Sequence, residues 1–172
     1  GAKWICQHMG IDEEDFYEAI ATFSGASKRL EKICDVRGTL AYKDFAHSPS
    51  KVKATTKAVK EQFPKKQLVA CLELHTYSSL DTKFLQQYEK TLAAADEAIV
   101  FYSPEAVRLK KLQEIDATQI EEAFQHKNLK VYTNPQLFQN YLKTGSFANA
   151  VILFMSSGNY GGLDFEQVKE WI

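Results

Sequence analysis

Gln67-Leu68-Val69-Ala70-Cys71-Leu72-Glu73-Leu74 reads as a short strand with almost no polar residue on either face. A strand that is apolar on both sides is buried on both sides, and that is the habit of parallel sheets covered by helices. Its flanks have the matching rhythm. Upstream, Ser48 stands as an N-cap before Pro49, a residue preset for the first helical position. Val52, Thr55, Ala58, Val59 and Phe63 are the expected inner face of that helix, which stops at Pro64. Downstream, Asp81 caps a helix with Phe84, Leu85, Tyr88 and Leu92 turned inward, and Ala98 to Tyr102 is again an apolar run of strand length.

The alternation continues to the C-terminus. Helical stretches over Pro104 to Leu112 and Thr118 to Phe124 precede a strand at Leu129 to Tyr132. Asn134-Pro135 opens another helix, Ala150 to Met155 is the last strand, and Asp164 caps a terminal helix. Strand and helix in alternation predict an α/β fold, a Rossmann-like and mostly parallel sheet with helices on both faces.

The first quarter of the chain has a different texture. Lys3 to Met9 is helical in pattern and ends at Gly10; Asp12 caps a second helix with Glu13, Glu14 and Asp15 at its positive end and Phe16, Ile20 and Phe23 as its stripe. From Arg29 to Phe45 two extended stretches are broken at Arg37-Gly38, the pattern of a hairpin. The change near Gly25 to Arg29 is the expected seam, with residues 1–25 as the last helices of a preceding domain and 26–172 as the domain proper. Gly1 in place of Met suggests a chain that begins inside a longer protein.

The chain has 172 residues, of which 45% are hydrophobic, which suffices for one core. Lys and Arg total 21 against 22 Asp and Glu, so no net field favours nucleic acid or an anionic membrane, and neither is expected as a partner. Cys6, Cys34 and Cys71 are odd in number, lack CxxC spacing and sit in apolar or strand-like surroundings, as reduced thiols do in a cytoplasmic protein. No apolar run approaches the roughly 20 residues that span a bilayer, and no secretory signal opens the chain.

Open α/β sheets bind ligands beyond the carboxyl ends of their strands, where loops and helix N-termini gather. That rule selects 44–49, 73–79, 102–104 and 156–162. In the first, Asp44, His47 and a helix start come together; Asp44 can accept from sugar hydroxyls and His47 can donate to an anion, unless Asp44 and Ser48 merely satisfy turn amides. Glu73 and His75 are a second candidate pair, one of which can face a ligand. Ser156-Ser157-Gly158-Asn159-Tyr160-Gly161-Gly162 can approach a phosphate closely through its glycines, or be a plain loop before a helix. No HxH, HExxH or cysteine cluster supports a metal site, and no GxSxG supports a nucleophile. Lys51, Lys53, Lys57, Lys60, Lys65 and Lys66 read as the solvated side and exit of one helix.

Asp44-Phe45-Ala46-His47-Ser48-Pro49, with Val52, Ala54 and Thr55 following, resembles the D-F/Y-A/G-H-x-P-x-x-V/I/L-x-A-T signature that opens the third domain of the Mur ligase family. Gly25-Ala26-Ser27-Lys28-Arg29-Leu30-Glu31 resembles that family's hinge segment, and Met155-Ser156-Ser157-Gly158-Asn159 its closing loop. The resemblance runs from about Gly25 to the C-terminus. Within the family, Leu72 to Ser79 is most similar to the branch that joins an intact murein tripeptide to UDP-N-acetylmuramate.

The resemblance implies the C-terminal domain of an ATP-dependent amide ligase of peptidoglycan synthesis or recycling, packed on its own central domain. The P-loop and the magnesium residues of that family lie upstream of this segment, so the resemblance places no catalytic residue here and expects the domain alone to be inactive. It implies nucleotide contacts at Arg29 and Asp44, and substrate contacts at His47, Glu73, His75, Ser157 and Asn159. Thr76 and Ser79 stand where alanine-adding relatives carry arginines, which suits a tripeptide acceptor better than free L-alanine. An L-alanine ligase, a folylpolyglutamate-synthase-type ligase, and a non-catalytic nucleotide- or precursor-binding module remain the alternatives.

Overall fold

The computed structural model describes residues 1–21 and 29–172. Two helices come first, α1 (Ala2–His8) and α2 (Glu13–Ala21). Gly10 at φ +85° turns the chain between them, and the Asp12 carboxylate accepts the Asp15 amide at 2.9 Å to cap α2. No residue of either helix is buried. The expected stripe position Phe23 and the seam residues Gly25 to Lys28 lie outside the described residues.

The rest is one six-stranded sheet. Its strands are β1 (Glu31–Val36), β2 (Thr39–Asp44), β3 (Gln67–Leu74), β4 (Glu97–Tyr102), β5 (Leu129–Tyr132) and β6 (Ala150–Met155), in the order β1-β2-β6-β3-β4-β5. All neighbours run parallel except β1, which pairs antiparallel with β2 through a turn whose Arg37 (φ 50°) and Gly38 (φ 84°) are both left-handed. Two such residues give the primed turn that matches strand twist.

Helices cover both faces. One face packs under α3 (Pro49–Gln62), α4 (Thr82–Leu85), α5 (Pro104–Leu109) and α6 (Ala117–Phe124), around Val52, Leu72, Tyr88, Phe124 and Leu153. The other packs under α7 (Pro135–Thr144) and α8 (Phe165–Trp171), around Cys71, Phe101, Phe138, Phe154 and Tyr160. Every residue of β4 and β6 is buried, as a strand sandwiched on both sides must be.

Three expectations need correction. The inner face of α3 is Val52, Thr56 and Val59, with Phe63 beyond; Ala58 is exposed and Thr55 half-buried. Thr56 can turn inward because its hydroxyl donates to the Val52 carbonyl at 2.7 Å, so no polar atom is left unpaired. The helix expected after Asp81 is a single α-turn followed by a 3₁₀ turn at Gln86–Tyr88, although Asp81 does cap it by accepting from Lys83 N at 3.0 Å. The lysines of α3 and its exit are not all a solvated face. Lys60 reaches Asp96 at 2.7 Å, and Lys66 bonds the Gly38 carbonyl and Asn149, so both stitch the amino ends of the strands together.

Candidate functional site

The carboxyl ends of β2, β6 and β3 lie side by side, so their three loops share one rim. Backbone ties the first two, since the Ser156 amide donates to the Asp44 carbonyl at 3.1 Å. Asp44 is more occupied than its sequence position suggests. One carboxylate oxygen accepts the Ala46 amide at 2.7 Å and the other accepts the Leu30 amide at 2.7 Å. The turn-amide role is therefore present, and it extends to Leu30, whose φ of 41° is left-handed. Each oxygen retains a second lone pair for a ligand hydroxyl. Ser48 takes the N-cap position of α3, yet its side chain makes no cap hydrogen bond.

On the α3 side of Asp44 lies a cleft of about 260 Å³ lined by Arg29, Asp44, Phe45, Ala46, Lys51, Ala54 and Thr55. Two cations, a carboxylate and the first turn of a fourteen-residue helix meet there. This donor set fits an anionic ligand that also carries hydroxyls. Lys51 was legible only as one lysine among several; what singles it out is its place in the first turn of α3. His47 is half-buried beside this cleft. Its Nδ1 lies 2.8 Å from the Phe45 carbonyl, and its own carbonyl accepts the Tyr88 hydroxyl at 2.6 Å. Burial holds the Tyr88 phenol up at about 12, so it stays a donor.

Glu73 and His75, expected as a pair, are brought together, since residues two apart share a face: Glu73 is 4% exposed near the end of β3, whereas His75, just past the strand, projects from the rim. His75 Nδ1 is 3.8 Å from Glu73 Oε1. The missed partner is Ser156, whose hydroxyl donates to Glu73 Oε2 and accepts the Gly158 amide at 2.6 Å. A strand residue whose carboxylate faces inward must find a donor nearby, and a serine at the end of the adjacent strand supplies it. Gly158 is pressed onto this pair, for a Cβ there would stand 2.7 Å from Glu73 Oε2 and 2.8 Å from His75 Cγ.

The following turn is built from three consecutive left-handed residues, Tyr160, Gly161 and Gly162. Asn159 serves that turn: its side-chain oxygen accepts the Gly162 amide at 3.2 Å and its carbonyl accepts the Leu163 amide at 2.8 Å. The Tyr160 hydroxyl is buried against the Cys71 and Met155 carbonyls at 2.8 and 2.9 Å, and burial raises its pKa well above the ordinary tyrosine value. Ser157 differs from its neighbour: its hydroxyl oxygen is shut off from solvent and has no hydrogen-bond partner among the described residues. An unpaired buried hydroxyl costs about 1–3 kcal/mol, so a native structure that keeps one invites an explanation.

The other selected segments are structural. Ser103 caps α5 by accepting from the Ala106 amide at 3.2 Å. Ser79 is buried, and both its amide and its hydroxyl close on Thr76. Among the described residues no group of three or more His, Cys, Asp or Glu side chains could hold a metal ion, and no helix is long and apolar enough to cross a membrane.

Comparison with known proteins matches this rim and the sheet behind it. The model of the family described as "Mur ligase, glutamate ligase domain" matches residues 28–158. The UDP-N-acetylmuramate–L-alanine ligase of Desulfitobacterium hafniense is 25% identical over 157 residues, 90% of this chain and 35% of that protein. The ligase of the same name from Caldicellulosiruptor saccharolyticus is 37% identical over 96 residues, 56% of this chain and 21% of that protein. This chain thus spans about a third or less of the relatives it matches. Among solved structures, the murein peptide ligase of Psychrobacter arcticus superimposes with a TM-score of 0.61 at 21% identity, over 89% of this chain and 31% of that one. The UDP-N-acetylmuramate–alanine ligase of Thermotoga maritima does so with a TM-score of 0.63 at 20% identity, over 96% and 34%. These two likenesses concern the fold. With the family model covering well over half of its length, the chain belongs to the Mur ligase family, as its glutamate ligase domain.

Proposed function

We propose that this chain is the domain of an ATP-dependent amide ligase that closes over the nucleotide and presents the amine substrate, acting on UDP-N-acetylmuramate and a murein peptide. The observation that carries the reading is the cleft at the end of β2, where Arg29 and Lys51 flank Asp44 at the start of α3. Arg29 and Lys51 are placed to neutralise nucleotide phosphates, and Asp44 to accept from ribose hydroxyls. ATP, bound with magnesium mainly by residues outside this segment, supplies the phosphoryl group that makes the muramate carboxylate reactive toward an amine. His75, backed by the buried Glu73, offers its outer ring nitrogen to the amine substrate across the rim. His47, Ser157 and Asn159 border the same rim; of these, Asn159 acts through the turn that it holds.

Thr76 and Ser79 favour the tripeptide acceptor. The Ser79 amide donates to the Thr76 hydroxyl and the Ser79 hydroxyl to the Thr76 carbonyl, and no arginine stands in 75–80 to hold the carboxylate of a free amino acid. The L-alanine ligase reading is the second, favoured by the names of the sequence relatives. The test is phosphate release from ATP by the full-length protein that carries this segment, given magnesium and UDP-N-acetylmuramate with murein tripeptide or L-alanine in parallel. Turnover with tripeptide alone supports the first reading, turnover with alanine the second, and silence with both removes both. In the active protein, Arg29→Ala and Lys51→Ala should each raise the KM for ATP by about tenfold or more, the worth of a charge-assisted hydrogen bond.

A further inference from the structure

We propose that Tyr88 is a positioning residue for His47: its hydroxyl fixes the loop before α3 so that His47 offers a ligand one bare ring nitrogen, Nε2, as a hydrogen-bond acceptor. The ligand group that fits is an N–H or O–H donor rather than an anion. Tyr88 itself does not line the cleft beside Asp44.

Tyr88 is a core residue. It is 1% exposed, its ring stacks on Phe124 with centroids 5.1 Å apart, and it meets Phe84 edge-on at 6.1 Å. Phenylalanine would make the same ring contacts. What the hydroxyl adds is one hydrogen bond, 2.6 Å long, to the His47 carbonyl. A buried phenol must find some acceptor, but this one lies outside any helix. The first carbonyl of α3 to take a helical amide is that of Ser48, which accepts from Val52, and the Ser48 side chain makes no cap bond. Two side chains therefore hold the loop at successive residues: Asp44 accepts the Ala46 amide, and Tyr88 donates to the His47 carbonyl.

The loop in turn holds the imidazole. The His47 ring stands edge-on to Phe45 at 5.0 Å, and its Nδ1 lies 2.8 Å from the Phe45 carbonyl. A carbonyl oxygen only accepts, so Nδ1 carries the hydrogen, and in the neutral ring Nε2 is left with a lone pair. Nε2 has no hydrogen-bond partner among the described residues. A hydroxyl or an amine N–H satisfies it, whereas a phosphate or carboxylate would set lone pair against lone pair. His126 has the opposite arrangement: its Nδ1 accepts the Asn128 amide at 3.2 Å, so its Nε2 carries the hydrogen and donates to the Ala95 carbonyl at 3.0 Å. That Tyr88 bears on turnover rests on the ligase reading above; the tautomer of His47 does not.

The tautomers are read from long-range ¹H–¹⁵N spectra of the labelled chain at about pH 8.5, well above the ordinary histidine range, with His126 as internal reference and His47→Gln to assign the signals. His47 should carry its hydrogen on Nδ1 and His126 on Nε2. Tyr88→Phe should turn His47 into a mixture of tautomers and move the amides of 45–48, with the far-ultraviolet circular dichroism and the His126 signals unchanged. Hydrogen on Nε2 of His47 in the unsubstituted chain, or a Tyr88→Phe spectrum identical to it, would overturn the proposal. In the full-length protein, Tyr88→Phe should lower kcat/KM about fivefold, the worth of one hydrogen bond, and have no further effect in a His47→Ala background. Additive losses would mean that Tyr88 acts by another route, and would overturn it as well. A full-length protein inactive with both acceptors removes the ligase reading, while the tautomer spectra still decide the proposal.

Discussion

Glu73 is the residue on which the rim turns. Its carboxylate is buried on the strand, and Ser156, Gly158 and His75 are arranged around it. Ser156→Ala would leave that carboxylate one donor short and should destabilise the domain by about 1–3 kcal/mol in urea unfolding. Gly158→Ala should cost a similar 1–3 kcal/mol, because the added methyl needs space that Glu73 and the His75 ring already fill. It should also move the His75 ring resonances, which Ser156→Ala disturbs less. The sequence pointed to Glu73 and His75 as residues of interest, but side-chain partnership between loops 83 residues apart is set by the sheet order, which periodicity does not encode. For the same reason Lys51 passed as one lysine of a solvated helix face until β2 and α3 placed it beside Asp44.

Elements were far more legible than their meetings. The strands at 67–74, 129–132 and 150–155 and the caps Asp12, Asp81, Asn134 and Asp164 are where apolar runs and capping residues place them. The α3 stripe was misread by one position because a threonine that bonds its own helix can stand in for an aliphatic residue. Asn134 accepts the Gln136 and Leu137 amides at 2.8 and 3.1 Å, so Asn134→Ala should cost about 1 kcal/mol in thermal or urea unfolding. Asp96 ties α3 to the start of β3 by accepting from Lys60 and the Leu68 amide. Burial alone would raise its pKa, but these bonds outweigh it and hold the value below the ordinary 3.8. The stabilisation is therefore complete above pH 3.8 and fades as pH falls through the lower folded value. Asp96→Asn should flatten the dependence of Tm on pH below pH 3.8.

For the whole molecule, the two cores share the sheet as a common wall. Phe124 anchors the α3 side and Phe138 the α7 side, and both are fully buried. Phe124→Ala and Phe138→Ala should each remove about 3–5 kcal/mol, with one common transition seen by near- and far-ultraviolet circular dichroism. Two separate transitions would mean that the faces are not coupled. Fold class was legible because alternation of strand and helix leaves few ways to bury apolar strands. The strand order was not, since nothing local says that the last strand lies in the middle. That placement has a consequence for synthesis. The ribosome delivers β1–β2 and β3–β4–β5 as two half-sheets with raw inner edges, and β6, which joins them, emerges nearly last. A chain cut before Ala150 lacks the strand that joins β2 to β3, so the rim and the shared core can close only once β6 is present.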